Sequence, residues 1–435
     1  MDTATLCPLT ESEIVAAVAA QRDEAVAFLQ ALVREPSLLG HEASAQALMK
    51  RRFQALGLAV CELVIDEAKL REHPGYSPSI VSYDGRRNVI GVHEPKAPPS
   101  AGGPAVRGRS LILNGHIDVV PVGAERLWTR PPFEPWIDGD RLHGRGANDM
   151  KAGIVAYTMA MAALKRLGVE PAARVTLQSV IEEECTGNGA LAAARRYHAD
   201  AAIMTEPTGG LFTQAHVGVL WFRIAITGKS WHAMQAWKGV NAITRAIPIM
   251  QALQELDARL NQQTHPAFAG IEHPINLNIG VIQGGDWPST VPGACEIHCR
   301  LSCYPGQSVL ATRREIEAAV AAVVESDSWF AEHPPVITWD GFQSAGSEVS
   351  MDEPFVRLLA AWHQRVVGQP MALKAGTGIN DMRYYNFEGI PAGCYGATGA
   401  NGHAADEWLL LPSLVPTAKV LGAFLLEWCG VAGSG

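Results

Sequence analysis

The feature that most constrains the fold is an alternation of short apolar runs with helical segments between residues 110 and 204. Residues 110–113, 175–181 and 201–204 are apolar runs of strand length, and 150–167 and 190–197 have helical spacing. Strands that alternate with helices form mainly parallel sheets covered by helices on both faces. The sequence therefore predicts an α/β fold on a mixed, mainly parallel sheet.

The pattern changes after residue 212. Segments 218–227, 275–282 and 294–303 have strand patterns, and 240–260 and 309–324 have helical spacing. The order β-α-β-β-α indicates an antiparallel α+β module of the ferredoxin-like kind. Because 435 residues exceed the usual size of one hydrophobic core, we expect two domains. Residues 1–212 and 327–435 would form the α/β domain, and 213–326 an inserted one.

Charge and hydropathy exclude two classes of partner. The formal net charge is -9 and no basic stripe is present, so we expect no nucleic-acid binding. The apolar run 154–164 is too short to cross a bilayer. Residues 1–10 have neither the basic nor the apolar part of a secretory signal. We expect a cytoplasmic protein that does not enter membranes.

Three cysteines, Cys295, Cys299 and Cys303, have the spacing of a possible metal site. They also fall on one face of a predicted strand, because side chains alternate with a period of two. A free cysteine behaves as a small hydrophobic residue. We therefore predict a buried strand face for these cysteines.

Five predicted loops carry residues that can bind a metal. After the run 110–113, His116 and Asp118 project to the same side, where a carboxylate could fix the second imidazole nitrogen. Each loop has a simpler interpretation as well: a surface loop for His116, a helix N-cap for Asp149, solvated acids for the four glutamates, and an isolated histidine that binds no metal for His403. The remaining candidates follow apolar runs or glycines: Glu182, Glu183, Glu184, Glu206 and His403.

Taken together, these loops resemble a known family in order and context. The matching segments are GHIDVVP, GRGANDMKAG, EEECTGNGA, TEPT, GKSWHA, GG…TVP and GHAADEW. They resemble the M20 metallopeptidase family, in particular its acetylornithine deacetylase and succinyl-diaminopimelate desuccinylase group. The resemblance extends from Pro36-Ser37 to Trp408 and so covers almost the whole chain.

The resemblance implies a catalytic α/β domain with two metal ions and an inserted lid or dimerisation domain. His116 and Glu206 would bind one ion, Glu184 and His403 the other, and Asp149 both. Glu183 would be the general base, with Asp118 supporting His116. Zinc is the expected metal, with cobalt and manganese as alternatives, because the ligands are imidazoles and carboxylates.

The resemblance also implies a substrate class. The enzyme would remove an acetyl, succinyl or formyl group from an amino acid or related amine and would form a homodimer. His232 would reach the neighbouring subunit's site, and Arg300 would bind a substrate carboxylate. Ser289 and Asn380 replace residues usual in the family, so the substrate pocket is expected to differ there. A dipeptidase or carboxypeptidase with the same metal site is the alternative.

Overall fold

The computed structural model describes residues 11–95 and 108–432, so residues 1–10, on which the expectation of no secretory signal depends, lie outside it. The helices are α1 Glu11–Ala19, α2 Arg22–Val33, α3 Ala43–Ala55, α4 Glu67–Leu70, α5 Ala152–Arg166, α6 Asn188–Arg196, α7 Ala242–Leu260, α8 Val309–Ser326, α9 Ser328–Glu332, α10 Pro354–Val367, α11 Met382–Phe387 and α12 Leu411–Cys429. The strands are β1 Ala59–Val64, β2 Arg87–His93, β3 Leu111–His116, β4 Trp136–Asp138, β5 Arg141–His143, β6 Val175–Val180, β7 Ala201–Met204, β8 Phe212–His216, β9 Gly218–Thr227, β10 Trp231–His232, β11 Leu277–Gly284, β12 Thr290–Val291, β13 Ala294–Cys303, β14 Val336–Ser344, β15 Ser347–Glu348, β16 Leu373–Gly376, β17 Ala392–Tyr395, β18 Gly399–Ala400 and β19 Trp408–Leu410.

The central sheet has the strand order β1-β2-β6-β3-β7-β17-β8-β15, with β16 beside β8. Its middle strands β6, β3, β7 and β17 run parallel, whereas β1, β2 and β15 pair antiparallel. Each residue of β3 and β6 is buried, which requires cover on both faces of the sheet. The predicted α/β fold with a mixed, mainly parallel sheet is confirmed.

Helix α5 packs between the sheet and the last helix, α12. Buried residues follow one another from Ala152 to Leu164, because the helix has neighbours on all sides. Gly153 allows the close approach to the sheet: a Cβ there would lie 1.8 Å from the carbonyl oxygen of Thr205. Within the described residues, no helix has the length and apolarity needed to cross a membrane.

A small antiparallel sheet, β18-β19-β5-β4, joins two distant parts of the chain. Trp408 of β19 pairs with His143 of β5. This pairing brings the glycine-rich segment after β17 beside the loop that leads into α5. Both segments carry candidate metal ligands, so the small sheet sets their separation.

The inserted module is an antiparallel sheet of order β11-β13-β9-β14 with its own hydrophobic core, to which α7 and α8 contribute. Cys295, Cys299 and Cys303 are buried in β13, as predicted. Strand β14 supplies the sixth element of a ferredoxin-like β-α-β-β-α-β unit. The boundary at residue 326 stays a prediction. Because β14 pairs with β9 and Phe342 belongs to the inserted core, we propose that this unit extends to Ser344.

Candidate metal centre

Three candidate loops meet because their strands are neighbours. His116 is the last residue of β3, Glu183 and Glu184 follow β6, and Glu206 follows β7. Strand β3 lies between the other two and runs parallel to both. The carboxyl ends of parallel strands share one edge of a sheet, which is where ligands bind in such folds. These side chains therefore converge at one edge.

Asp149 joins them from the loop before α5. It does not cap that helix: the residue at the N-cap position is Lys151, and Asp149 has the extended backbone angles φ -111° and ψ 101°. Its Oδ1 lies 3.2 Å from Nε2 of His116 and its Oδ2 lies 3.7 Å from Nε2 of His403. The carboxylate thus lies between two imidazoles.

The side chains form what we call the carboxylate–histidine cluster: His116, Asp149, Glu183, Glu184, Glu206 and His403. The cluster contains three sets of three residues. In each set, every residue has one potential ligand atom within 4.8 Å of those of the other two. The sets are His116–Asp149–Glu206, Asp149–Glu184–His403 and His116–Glu183–Glu184. The first two sets share Asp149. Imidazoles and carboxylates, without a thiolate, suit zinc and similar divalent ions, so this donor set fits a pair of metal ions.

The cluster changes the pKa of most of its members. Burial raises the pKa of Glu206 to about 8, and also raises that of Glu183. The hydrogen bond to Glu184, 3.0 Å between Nε2 and Oε2, raises the pKa of His403 to about 9. So many protonated groups in one place indicate a site that lacks positive charge. Divalent cations would supply that charge.

Asp118 supports His116 by a different atom from the one predicted. Its main-chain carbonyl oxygen lies 2.9 Å from Nδ1 of His116, whereas its carboxylate Oδ1 is 3.7 Å away. The carboxylate instead accepts from the main-chain N–H groups of Glu183 and Glu184, at 3.2 and 3.1 Å. Asp118 therefore joins the loop after β3 to the loop after β6.

Glu182 does not belong to the cluster, although it adjoins Glu183 in sequence. It is buried, and its Oε1 accepts from Arg86 at 2.7 Å. Its Oε2 accepts from Thr186 Oγ1 at 2.6 Å and also from the Tyr83 hydroxyl. Arg86 is thus the cation that permits three consecutive carboxylates at the end of β6.

The predicted substrate residues lie outside the cluster. His232 and Ser289 are exposed at the two-stranded sheet β10–β12 of the inserted module. Arg300, in β13, donates to the carbonyl oxygens of Asn276 and Thr377. Asn380 is buried, and its Oδ1 accepts from the N–H of Met382 at 3.0 Å.

Sequence reasoning missed the residue that holds the Asp149 loop. Glu407 is fully buried, and its Oε1 accepts from the N–H groups of Asn148 and Asp149, each at 2.9 Å. Its Oε2 accepts from Gly146 N at 3.0 Å and from Arg145 at 2.6 Å. Its presence in GHAADEW, four residues after His403, was the available signal.

Comparison with known proteins identifies the family of the chain. Residues 112–427 match the model of peptidase family M20/M25/M40. The chain belongs to this family. The resemblance predicted from the sequence motifs is confirmed, and with it the expectation of a metal-dependent hydrolase of amide bonds.

Two curated relatives from this M20 family are acyl-removing enzymes. The chain is 30% identical over 342 residues to an N-formyl-4-amino-5-aminomethyl-2-methylpyrimidine deformylase of Halalkalibacterium halodurans, covering 74% of this chain and 79% of the relative. It is 28% identical over 327 residues to an acetylornithine deacetylase of Aliivibrio salmonicida, covering 73% and 81%.

Among solved structures, the chain resembles the di-peptidase Dug1p of Saccharomyces cerevisiae. The TM-score is 0.76 at 12% identity, and the match covers 97% of this chain and 98% of that one. Human carnosine dipeptidase 1 gives a TM-score of 0.71 at 15% identity, covering 97% and 100%. At these identities the likeness supports the M20 fold.

Proposed function

We propose that this M20 protein is a metal-dependent amidohydrolase that removes a formyl, acetyl or succinyl group from an amino acid or related amine. The observation that carries the proposal is the pair of ligand sets that share Asp149, with Glu183 beside them. Two metal ions that are held close together are typical of hydrolytic enzymes, and Asp149 would be placed to contribute to both. The names of the two curated relatives, a deformylase and a deacetylase, support an acyl group on an amine as the substrate.

We assign His116 and Glu206 to one ion, Glu184 and His403 to the other, and Asp149 to both. Zinc is the proposed native metal, and cobalt and manganese also fit these ligands. When bound, the metal pair would lower the pKa of a water molecule and stabilise negative charge on the substrate's carbonyl oxygen. His403 is the exposed member, with 57% of its side chain accessible, so substrate would enter from its side.

Glu183 is the proposed general base. It is buried beside the ligands, with its Oε2 3.8 Å from Nε2 of His116. It would take a proton from the attacking water and give a proton to the departing nitrogen as the amide C–N bond breaks. The products are a carboxylic acid and a free amine. Burial raises the pKa of Glu183, which favours a group that holds a proton between these two steps.

The substrate contacts are further proposals. Among the described residues, Arg300 donates to main-chain carbonyl oxygens only, so its positive charge is available to a substrate carboxylate. Asn380 uses its amide oxygen to hold Met382, which leaves its amide nitrogen for substrate. Ser289 lies beside His232, since its carbonyl oxygen accepts from the N–H of Ala233 at 2.9 Å.

A homodimer through the inserted module would place His232 at a second subunit's site. His232 is exposed and lies in a two-stranded sheet that is separate from the central sheet. Ile247 of α7 and Val281 and Ile282 of the edge strand β11 are exposed apolar residues, and an open sheet edge is a common place for association.

The cytoplasmic location stays a prediction.

An acyl-group panel tests the function. The purified chain is assayed for amine release from N-formyl, N-acetyl and N-succinyl derivatives of a set of amino acids and amines, and from dipeptides. We expect hydrolysis of at least one acylated amine, its loss in chelator and its return with zinc. Glu183→Gln protein purified in parallel controls for contaminating hydrolases. Hydrolysis of dipeptides alone would favour a dipeptidase, and hydrolysis that resists chelation would refute the metal centre.

A further inference from the structure

Asp381 is a buried carboxylate without a hydrogen-bond donor. It is 1% exposed, and among residues 11–95 and 108–432 neither Oδ1 nor Oδ2 has a hydrogen-bond partner. A carboxylate out of contact with water is unfavourable unless a positive charge or donor compensates it. The charge at this position therefore lowers stability unless a cation lies close to it.

Helix capping does not explain this residue. Asp381 precedes α11, but its side chain caps no N–H group of that helix. The neighbouring Asn380 accepts from Met382 instead. Arg383 directs its hydrogen bonds elsewhere: Nη1 donates to the carbonyl oxygen of Asn380, and Nη2 to the hydroxyl of Tyr384 at 2.7 Å.

Asp381 lies next to the carboxylate–histidine cluster. The hydroxyl of Tyr384 donates to the carbonyl oxygen of Thr186 at 2.6 Å, so the start of α11 packs against the loop that carries Glu183 and Glu184. Tyr385 accepts from Asn114 Nδ2 at 3.0 Å, two residues before His116. Burial is the largest cause of the raised pKa of Glu183 and of Glu206, and the charge of Asp381 raises both further.

We propose that Asp381 is a positioning residue of the metal centre, a carboxylate that lies behind the ligands and favours the cation pair by its charge without binding it. None of the potential ligand sets in the described chain includes Asp381. The inference rests on the metal centre of the proposed function. It has two opposite consequences. Without metal, the buried charge of Asp381 has no hydrogen-bond donor and lowers stability; with metal, it attracts the ions and raises their affinity.

The test is the isosteric change Asp381→Asn. We expect the thermal midpoint of the metal-free protein to rise by about 1–3 °C, because a buried charge without a hydrogen-bond donor is removed. We expect the Zn²⁺ dissociation constant to increase about 10-fold or more, as for other residues that support metal ligands. Calorimetry in chelator gives the first quantity, and competition with a zinc-binding dye gives the second.

A purely structural role for Asp381 predicts a lower midpoint with and without metal. Asp257→Asn in the inserted module is the matched control: it weakens the 2.8 Å hydrogen bond from Leu277 N, so it should lower both midpoints and leave zinc affinity unchanged. If Asp381→Asn does not fold, Asp381→Ser is measured in the same way.

The outcomes separate the two proposals. Wild-type protein that binds no zinc would refute the proposed function. Wild-type protein that binds two zinc ions, together with an Asp381→Asn variant whose metal-free midpoint does not rise or whose zinc affinity is unchanged, would overturn only the role of Asp381.

Discussion

Glu407 accepts a hydrogen bond from the main-chain N–H of Asp149, with 2.9 Å between Oε1 and N. Its other hydrogen bonds come from the same loop, including the buried Arg145. One carboxylate thus fixes the backbone that carries Asp149, the proposed shared ligand of the metal centre. Supporting residues of this kind set the orientation of metal ligands and so their affinity.

Glu407→Gln should therefore weaken zinc binding about 10–100-fold. An amide nitrogen would face N–H donors in place of one carboxylate oxygen, and Arg145 would lose its charged partner. Competition with a zinc-binding dye measures the affinity, and calorimetry should show a lower thermal midpoint. Glu427→Gln, an exposed position on α12, is the control. Equal affinity of Glu407→Gln and wild type would show that Asp149 is held without this carboxylate.

Glu183→Gln should lower turnover by about 100-fold or more, the usual contribution of a general base. The amide has nearly the same shape but cannot take the proton of water. Metal content, measured by elemental analysis, should stay at the wild-type level because Glu183 is not an assigned ligand. Loss of both activity and metal would make Glu183 a ligand instead, and retained activity would exclude it as the base.

Zinc should stabilise the protein more as pH rises. Burial raises the pKa of Glu206 from 4.5 to about 8, so its protonation stabilises the metal-free fold below pH 4.5 and this contribution is lost as pH rises through about 8. The hydrogen bond to Glu184 raises the pKa of His403 from 6.5 to about 9. Protonation of His403 therefore also stabilises the metal-free fold at low pH, and this contribution is lost as pH rises through about 9. Metal binding displaces these protons.

The measurement is the difference between the thermal midpoints of zinc-loaded and metal-free protein from about pH 5 to 9. This difference should widen over that range, because only the metal-free protein loses the contributions of Glu206 and His403. Taking the difference cancels groups far from the site. Parallel curves would mean that zinc does not compete with these protons.

Mixing subunits tests whether His232 acts across a dimer. His232→Ala and Glu183→Gln proteins should each be nearly inactive. After exchange, an equal mixture should reach about a quarter of wild-type activity, because about half of the dimers are mixed and each has one complete site. A His232→Ala/Glu183→Gln double variant mixed with His232→Ala should show no recovery. Absence of recovery in the first mixture, with exchange shown by mass spectrometry, would contradict a shared site.

Local pattern was enough to predict the strands that meet at the metal centre. His116 and Glu206 each stand near the end of a short apolar run, and parallel pairing then brings those ends together. Asp149 also had a sequence-level alternative as a helix cap, but Lys151 occupies the N-cap position of α5.

What the sequence did not reveal depends on long-range contacts. Glu407 holds a loop about 260 positions earlier in the chain, and no periodic pattern encodes that pairing. The partnership of Glu182 with Arg86 and the burial of Asp381 are of the same kind. The sequence predicted a contact between Asp118 and His116. That the contact is made by the main-chain carbonyl oxygen of Asp118, and not by its carboxylate, depends on the course of the backbone.

The contact between Glu407 and the Asp149 loop also bears on biosynthesis. During translation, Asp149, Glu183 and Glu184 leave the ribosome well before residue 407, with the whole inserted module made in between. Until Glu407 arrives, the N–H groups of Asn148 and Asp149 lack their acceptor. The nascent chain therefore has most of the proposed ligands but not their arrangement, so we expect metal uptake to follow the synthesis of Glu407 rather than that of the first strands.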